Sequence, residues 1–537
     1  MKTEDIGINN LPDFLAPHWN KQKIKTLDYK EFDSVFHIDN VPLSWFYKRM
    51  LSFHTIPAQF QTKQLIAQFL AGAEVLPDSK LNQKRKRLQK IFYLNEKIKS
   101  LYKGKKLITS EKPNVLFLTY LDHANQEGEI FRVNNLVNFI KKEPTLHPLI
   151  ITATPPSKKC YNNIYKQYAS QNNFYQFMTP EQNKKAKNIA QELSQAWQAL
   201  TEGDKISLFQ NISLWNCLRY PFEFYFSYEF VYFVALTYLT YKHILQNNNV
   251  KVAVITAQHN IYERCLSAAA SQLNIPVIMI QHGSGLGALN PELLNPHYIA
   301  VFSEYYQQLL VEQNVPKEQI LVTGPLIFDD IYPFIQEQKK KKNNSGNNSS
   351  AEILLLTVPF VEQNYFSKEK HAEYIKKIIQ EIQKVNKVNI TIKLHPLEKN
   401  LHDYQNLIHE NKLEKVNVVQ KTGASYLYQL MSQSDIIINF SSTVVIESII
   451  LDKPVITMLG KEFANPFNKL ISESKATLEL KESHDLPTTV TALLTNTKLQ
   501  QEYHKNRRAF SKKMCGKIDG QAAARVAEFV KQLARNK

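Results

Sequence analysis

Residues 435–456 read DIIINFSSTVVIESIILDKPVI. The apolar run 435–440 has the length of a buried strand rather than of a helix. Ser441, Ser442 and Thr443 follow at once, hydroxyls of the kind that cap the free amides of a helix start. Residues 443–451 continue as that helix, and Pro454 opens a second apolar strand over 454–458. Strand, crossover helix and strand in succession make a parallel sheet.

Working outward, the same alternation fills residues 351–537. Strands are expected at 353–358 (ILLLTV), 388–394 (VNITIKL) and 416–420, with helices at 371–385 and 425–433. Upstream it recurs as strands at 114–120 (NVLFLTY), 147–153 (HPLIITA), 251–257 (KVAVITA), 275–281 (IPVIMIQ), 298–303 (YIAVFS) and 320–323. Helical stretches at 261–273 and 304–313 separate several of them. Strands apolar at every position imply a parallel sheet covered on both faces. The expected fold is therefore α/β, two facing Rossmann-like domains over 112–338 and 351–537. The polar stretch 339–350 (KKKKNNSGNNSS) reads as a linker between them. The final helix is expected to pack back towards the first domain. Residues 1–111 read as a helical extension without a clear strand, from the periodicity of VPLSWFYKRMLSFH and AQFQTKQLIAQFLAG.

The chain has 537 residues, 43% of them hydrophobic, so large cores are within reach. The opening MKTEDIGINNLPDFLAPHW is acidic and polar where a signal peptide needs an apolar run, so export is not expected. Residues 222–245 come nearest to a membrane span, but Glu223, Glu229 and many tyrosines favour a buried helix. Four scattered cysteines without a CxxC pair speak against a disulfide framework or a zinc site and fit a reducing compartment.

The formal net charge of +17 is concentrated in residues 79–106 and in the lysine run 339–342. In 79–106 the charge is interleaved with Leu88, Ile91, Phe92, Leu94, Ile98 and Leu101, as in a basic amphipathic helix. Such a helix suits an anionic membrane leaflet or an acidic glycan; a solvated face packing its apolar stripe on the domain suits the pattern equally. No nucleic-acid-binding motif accompanies the charge. The expected place is cytoplasmic, with peripheral association at the inner face of the membrane.

In doubly wound sheets ligands bind beyond the carboxyl ends of the strands. Lys393-Leu394-His395-Pro396 ends one strand there, with Pro396 stopping the ladder and leaving His395 at the edge. Ser441, Ser442 and Thr443 occupy the equivalent edge at a helix N-terminus, where amides and dipole favour a phosphate. Glu447 lies one turn on, placed to accept from ribose hydroxyls. Gln281-His282-Gly283 ends another strand, and Gly283 permits close backbone approach to a ligand. Arg264, at the start of the preceding helix, reads as a surface ion pair or an anion contact. The pair Asp329-Asp330 follows a strand-turn and is read as no metal site.

These stretches together resemble the GT-B glycosyltransferases of bacterial surface polysaccharide synthesis, the HP- and SS/ST-motif sialyl-, polysialyl- and Kdo-transferases. CDP-glycerol glycerophosphotransferases are more distant relatives. The matching segments are KLHP (393–396), 435–456, IPVIMIQHG (275–283), VTGPLIFDD (322–330) and DGQAAARVAEFV (519–530), so the resemblance runs from about Asn114 to the C-terminus. It implies a nucleotide-sugar donor, CMP- or UDP-linked, a glycan or glycolipid acceptor, and neither cofactor nor metal. It also implies that His395, Pro396, Ser441, Ser442 and Thr443 hold the donor's phosphate, with Glu447 on the ribose; His282, beside Gly283 at its strand end, reads equally as a donor contact or as lining the interdomain hinge.

The family's acidic pair before a glycine survives here as one acid, Glu127, before Gly128. An inverting transfer needs a base within hydrogen-bonding reach of the acceptor hydroxyl. Glu127 is the first candidate, then Asp122 and His123 in the same loop, then His282 and Glu263. Competing readings are a glycerophosphotransferase, a nucleotide-sugar epimerase, and a non-catalytic GT-B protein binding a glycan or partner.

Overall fold

The computed structural model describes residues 23–24, 30–46, 111–120, 133–153, 171–209, 215, 219, 222–258, 260–281, 283, 297–341, 350–362, 366–398, 400–421, 423–440, 444–458 and 466–535. Two parallel doubly wound sheets with helices on both faces give the GT-B-like α/β architecture expected from the sequence.

Of the first region only residues 23–24 and 30–46 are described before residue 111, and beside the helix Phe32–Val35 they hold short strands that the helical reading does not anticipate. Two antiparallel ladders of two-residue strands lie there, β1 (Lys23–Ile24) with β2 (Lys30–Glu31) and β3 (His37–Ile38) with β4 (Val41–Pro42). Asp39 and Asn40 take positive φ and turn the chain between β3 and β4, as Asp and Asn do more readily than other side-chain-bearing residues. Aromatic side chains of this segment plug the first domain, while most of the two periodic stretches at 41–54 and 58–72 lies outside the described residues. Phe36 meets Phe226 at 5.0 Å, and Phe226 stacks on Trp197 at 4.3 Å.

The first sheet holds β5 (Asn114–Thr119), β6 (His147–Thr152), β7 (Gln171–Asn173), β8 (Val250–Ile255), β9 (Val277–Ile280), β10 (His297–Val301) and β11 (Ile320–Val322). Their order is β11-β10-β9-β8-β5-β6-β7, all parallel. Its helices include α1 (Asn134–Lys142), α2 (Pro180–Ala199), α3 (Tyr228–Asn247), α4 (Ile261–Gln272), α5 (Glu304–Glu312) and α6 (Tyr332–Lys341). Alternate strand residues serve different cores. Val115, Phe117, Val252 and Val254 pack with α1, whereas Leu116, Leu118, Ala253 and Ile255 pack towards α3 and α4. This division is why the strands are apolar throughout. Fourteen residues of α3 are buried within the domain, and no helix among the described residues is long and apolar enough to cross a membrane.

Helix α6 runs to Lys341, so the start of the lysine run is helical rather than linker. The second sheet holds β12 (Ala351–Leu356), β13 (Val388–Lys393), β14 (Val416–Val419), β15 (Ile436–Asn439), β16 (Val455–Met458) and β17 (Leu478–Leu480). Their order is β14-β13-β12-β15-β16-β17, again all parallel. Helices α7 (Lys368–Gln383), α8 (Leu401–Glu410), α9 (Ala424–Gln433), α10 (Val444–Ile450), α11 (Thr497–Cys515) and α12 (Ala522–Arg535) belong to this half, with further helices at Pro466–Ser474 and Leu486–Thr495.

Two features bind the second half to the first. Phe510, Met514 and Cys515 of α11 join the apolar core that also holds Phe302 and Tyr306, and Ser303 donates to Lys513 O at 2.7 Å. Helix α12 crosses back and packs Ala523, Val526 and Val530 with the α1 core of the first sheet. Asp329 caps it, accepting from the amides of Ala522 (3.1 Å) and Ala523 (2.7 Å). Asp330 accepts from Asn135, so this acid pair fastens helices. Gly324, at φ 85°, lies where an added Cβ would come within 2.6 Å of Lys517 O, so only glycine fits beneath the returning segment.

Candidate functional site

Each sheet reverses its strand order once, between β5 and β8 in the first and between β12 and β15 in the second. The crevice outside the carboxyl ends at such a reversal is where doubly wound sheets bind ligands.

In the second domain Thr357 follows β12 and His395 follows β13. The backbone N–H of His395 is held by Thr357 Oγ1 at 3.0 Å and by Glu398 Oε2 at 2.8 Å. Leu397 N–H donates to His395 Nδ1 at 3.2 Å. With Nδ1 accepting, the neutral ring carries its hydrogen on Nε2, a donor without a partner among the described residues. Burial, and then the Lys393 ammonium, lower the His395 pKa, so the neutral donor persists to lower pH than in an exposed histidine. Pro396 and Leu397 are exposed beside it.

Glu447 lies on α10 with its side chain buried, and its Oε1 accepts from Tyr428 of α9 at 3.1 Å. Burial pushes this carboxyl up to about 7. Tyr428 packs in turn on Phe334 of α6 at 5.9 Å, so the pair sits where the two domains meet. At the end of β15, Asn439 is buried with neither side-chain polar atom paired among the described residues, and the same holds for the Oγ1 of its register partner Thr457. Ser441, Ser442 and Thr443 lie outside the described residues.

In the first domain Tyr120 follows β5, and Gln258 and Asn260 follow β8. Asn260 Nδ2 donates to Tyr120 Oη at 3.5 Å, and Tyr120 also shares a hydrogen bond with Glu263. Glu263 is buried on the first turn of α4, and burial lifts its carboxyl to about 7. Arg264 corrects the surface reading. It is fully buried, its guanidinium lies 4.1 Å from the Trp45 ring centre, and Nε donates to Trp45 O. Trp45 Nε1 returns a hydrogen bond to Arg264 O at 3.1 Å.

Gly283 accepts at its carbonyl from Gln281 Nε2 at 2.9 Å, and an added Cβ there meets no atom within 4 Å, so the space beside it is open. His282, Asp122, His123, Glu127 and residues 79–106 lie outside the described residues. No group of three or more histidine, cysteine or acidic side chains placed to hold a metal occurs among the described residues.

The structure thus places His395 one strand from the reversal of the second sheet, hydrogen-bonded to Thr357 at the end of β12, and Glu447 at the domain junction. Sequence reasoning missed Thr357, Glu398, Tyr120 and Tyr428. Only Glu398 left a local trace, an acid two residues after the strand-ending proline; the others act through partners distant in sequence.

A family model described as UDP-N-acetylglucosamine 2-epimerase matches residues 265–531, from within α4 to within α12. No curated protein matches the chain in sequence. Similar solved structures include a UDP-GlcNAc 2-epimerase from Neisseria meningitidis bound to UDP-GlcNAc, at 14% identity and TM-score 0.48, covering 78% of this chain and all of that one. The Methanocaldococcus jannaschii UDP-GlcNAc 2-epimerase is 14% identical at TM-score 0.47, covering 78% of this chain and 99% of its own. The wall teichoic acid polymerase TagF is 15% identical at TM-score 0.45, covering 86% of this chain and 99% of its own.

Proposed function

We propose that the chain is a metal-independent glycosyltransferase that takes a sugar from a nucleotide-activated donor, CMP- or UDP-linked, and passes it to a glycan or lipid-linked acceptor. The observation that carries this reading is His395: a ring at the end of β13, beside the reversal strand β12, with Nδ1 occupied and Nε2–H without a partner among the described residues. That hydrogen suits a phosphate oxygen of the donor, on which negative charge grows as the sugar–oxygen bond breaks. Ser441, Ser442 and Thr443 supply further donors at the next helix start, and Glu447 the ribose contact. The acceptor proton goes to a carboxylate on the first domain, Glu127 by motif. The basic segment 79–106 holds the enzyme at an anionic membrane face, where lipid-linked acceptors are found.

A second reading, epimerisation of the sugar on its nucleotide, is favoured by the family match over 265–531. Purified protein incubated with CMP-, UDP-, CDP- and GDP-linked sugars, with and without glycan acceptors, separates the two. Transfer requires both substrates and lengthens the acceptor. Conversion of UDP-N-acetylglucosamine alone into its C2 epimer, without transfer, would replace the transferase reading.

A further inference from the structure

The turn that carries His395 is closed by a single buried residue, through its backbone N–H at one end and its carboxylate at the other. Glu398 N–H donates to His395 O at 2.9 Å, while His395 N–H donates back to Glu398 Oε2 at 2.8 Å. The carboxylate also accepts from Thr357 Oγ1, and Tyr404 Oη donates to its other oxygen at 2.5 Å. Behind Tyr404 stands His371 Nε2, 3.4 Å from the hydroxyl. The Glu398 carbonyl accepts from Gln420 Nε2 at 2.7 Å. One residue, 3% exposed, therefore gathers β12 through Thr357, α8 through Tyr404 and the end of β14 through Gln420.

The chemistry of the cluster requires a glutamate. A carboxylate accepts on both oxygens at once, whereas a glutamine offers one acceptor oxygen and turns donors towards the rest. Aspartate, one methylene shorter, cannot span from its backbone to His395 N–H and Tyr404 Oη together. The consequence reaches the ring. Closing residues 395–398 into this turn is what brings Leu397 N–H to Nδ1, and that bond selects the Nε2–H tautomer.

We infer that Glu398 is a positioning residue for His395: by closing the turn it fixes the direction and tautomer of the imidazole that faces the donor phosphate. The inference rests on the reading of His395 as a phosphate donor, and it acts through that ring without touching substrate. A small cavity of about 50 Å³, lined among others by Glu398, Tyr404, His371 and Asp403, lies behind the turn. Substitutions at Glu398 therefore have room to relax.

The test uses the full-length protein, ¹⁵N-labelled at histidine, with UDP and CMP as probes. In the wild type the His395 ring, assigned by its loss in His395→Ala, shows the Nε2–H signature. Glu398→Ala should mix the tautomers and weaken nucleotide binding by about tenfold or more, the scale of a hydrogen bond to a charged group. A His395→Ala/Glu398→Ala double variant should bind no more weakly than His395→Ala alone, because both changes remove the same contact. Should Glu398→Ala not fold, Glu398→Asp, which keeps the charge, should show the same mixing. A pure Nε2–H signature in the variant that folds, or additive losses in the double variant, would overturn the inference. If His395→Ala binds both nucleotides as wild type does, the phosphate reading fails; the tautomer spectra still decide the positioning role.

Discussion

The hydroxyl of Tyr428 donates to Glu447 Oε1 at 3.1 Å, which places a buried carboxyl under a tyrosine at the junction of the two domains. Glu263 stands in a similar relation to Tyr120 in the first domain, and burial raises both carboxyls from 4.5 to about 7. A raised folded pKa means the native state binds more protons than the unfolded chain between those values. Stability from these groups is complete below pH 4.5 and is lost as pH rises through about 7. Urea unfolding across this window should show Glu447→Gln and Glu263→Gln with a flatter pH dependence than wild type. An unchanged slope in both variants would contradict the burial argument.

Arg264 and Trp45 exchange two hydrogen bonds and one ring contact across 219 residues of chain. Arg264→Ala leaves the carbonyl of half-buried Trp45 without its donor, a loss of about 1–3 kcal/mol. Arg264→Lys should cost nearly as much, because an ammonium has no planar face to lay on the indole. Chemical denaturation checks both, and full recovery in the lysine variant would show that charge alone matters.

His395→Ala should weaken donor-nucleotide binding by about 1.5–3 kcal/mol, as for a hydrogen bond to a charged group. Calorimetric titration with UDP and CMP measures this, with Ser441→Ala/Ser442→Ala as the companion. Unaltered affinity in both would remove the phosphate site from this edge.

Glu127→Gln keeps shape and hydrogen bonding but takes no proton. Transfer should fall by about 10²–10⁴, the usual contribution of a general base, with donor affinity near wild type. Asp122→Asn and His123→Ala are the controls. If a control loses transfer while Glu127→Gln keeps it, the role passes to that residue; if all three stay active, Glu263→Gln is next.

Neutralising Arg85, Lys86 and Arg87 should reduce sedimentation with anionic vesicles at low salt, each charge being worth about 1 kcal/mol near such a surface. Turnover on a soluble acceptor should not change. Equal vesicle binding by variant and wild type would separate the basic segment from the membrane.

The strands were legible because their signal is local. Every residue of 114–119 and 436–439 is buried, and a run apolar on both faces shows in sequence without knowledge of its neighbours. His395 was legible for the same reason, since a proline after an apolar run marks a strand end wherever the strand lies. The short ladders near residue 40 were not, because two-residue strands carry no periodicity, and the aromatic spacing around them reflects docking on Trp197 and Phe226.

By itself, then, the sequence determined two parallel sheets and the strand ends at which His395 and Gly283 stand. The tertiary structure alone decided which polar groups are buried and against whom. Glu447 meets Tyr428 across 19 residues, Glu398 meets Thr357 across 41, and Arg264 meets Trp45 across 219. Charge states and hydrogen-bond partners follow from desolvation, and desolvation depends on packing between elements that no local pattern encodes.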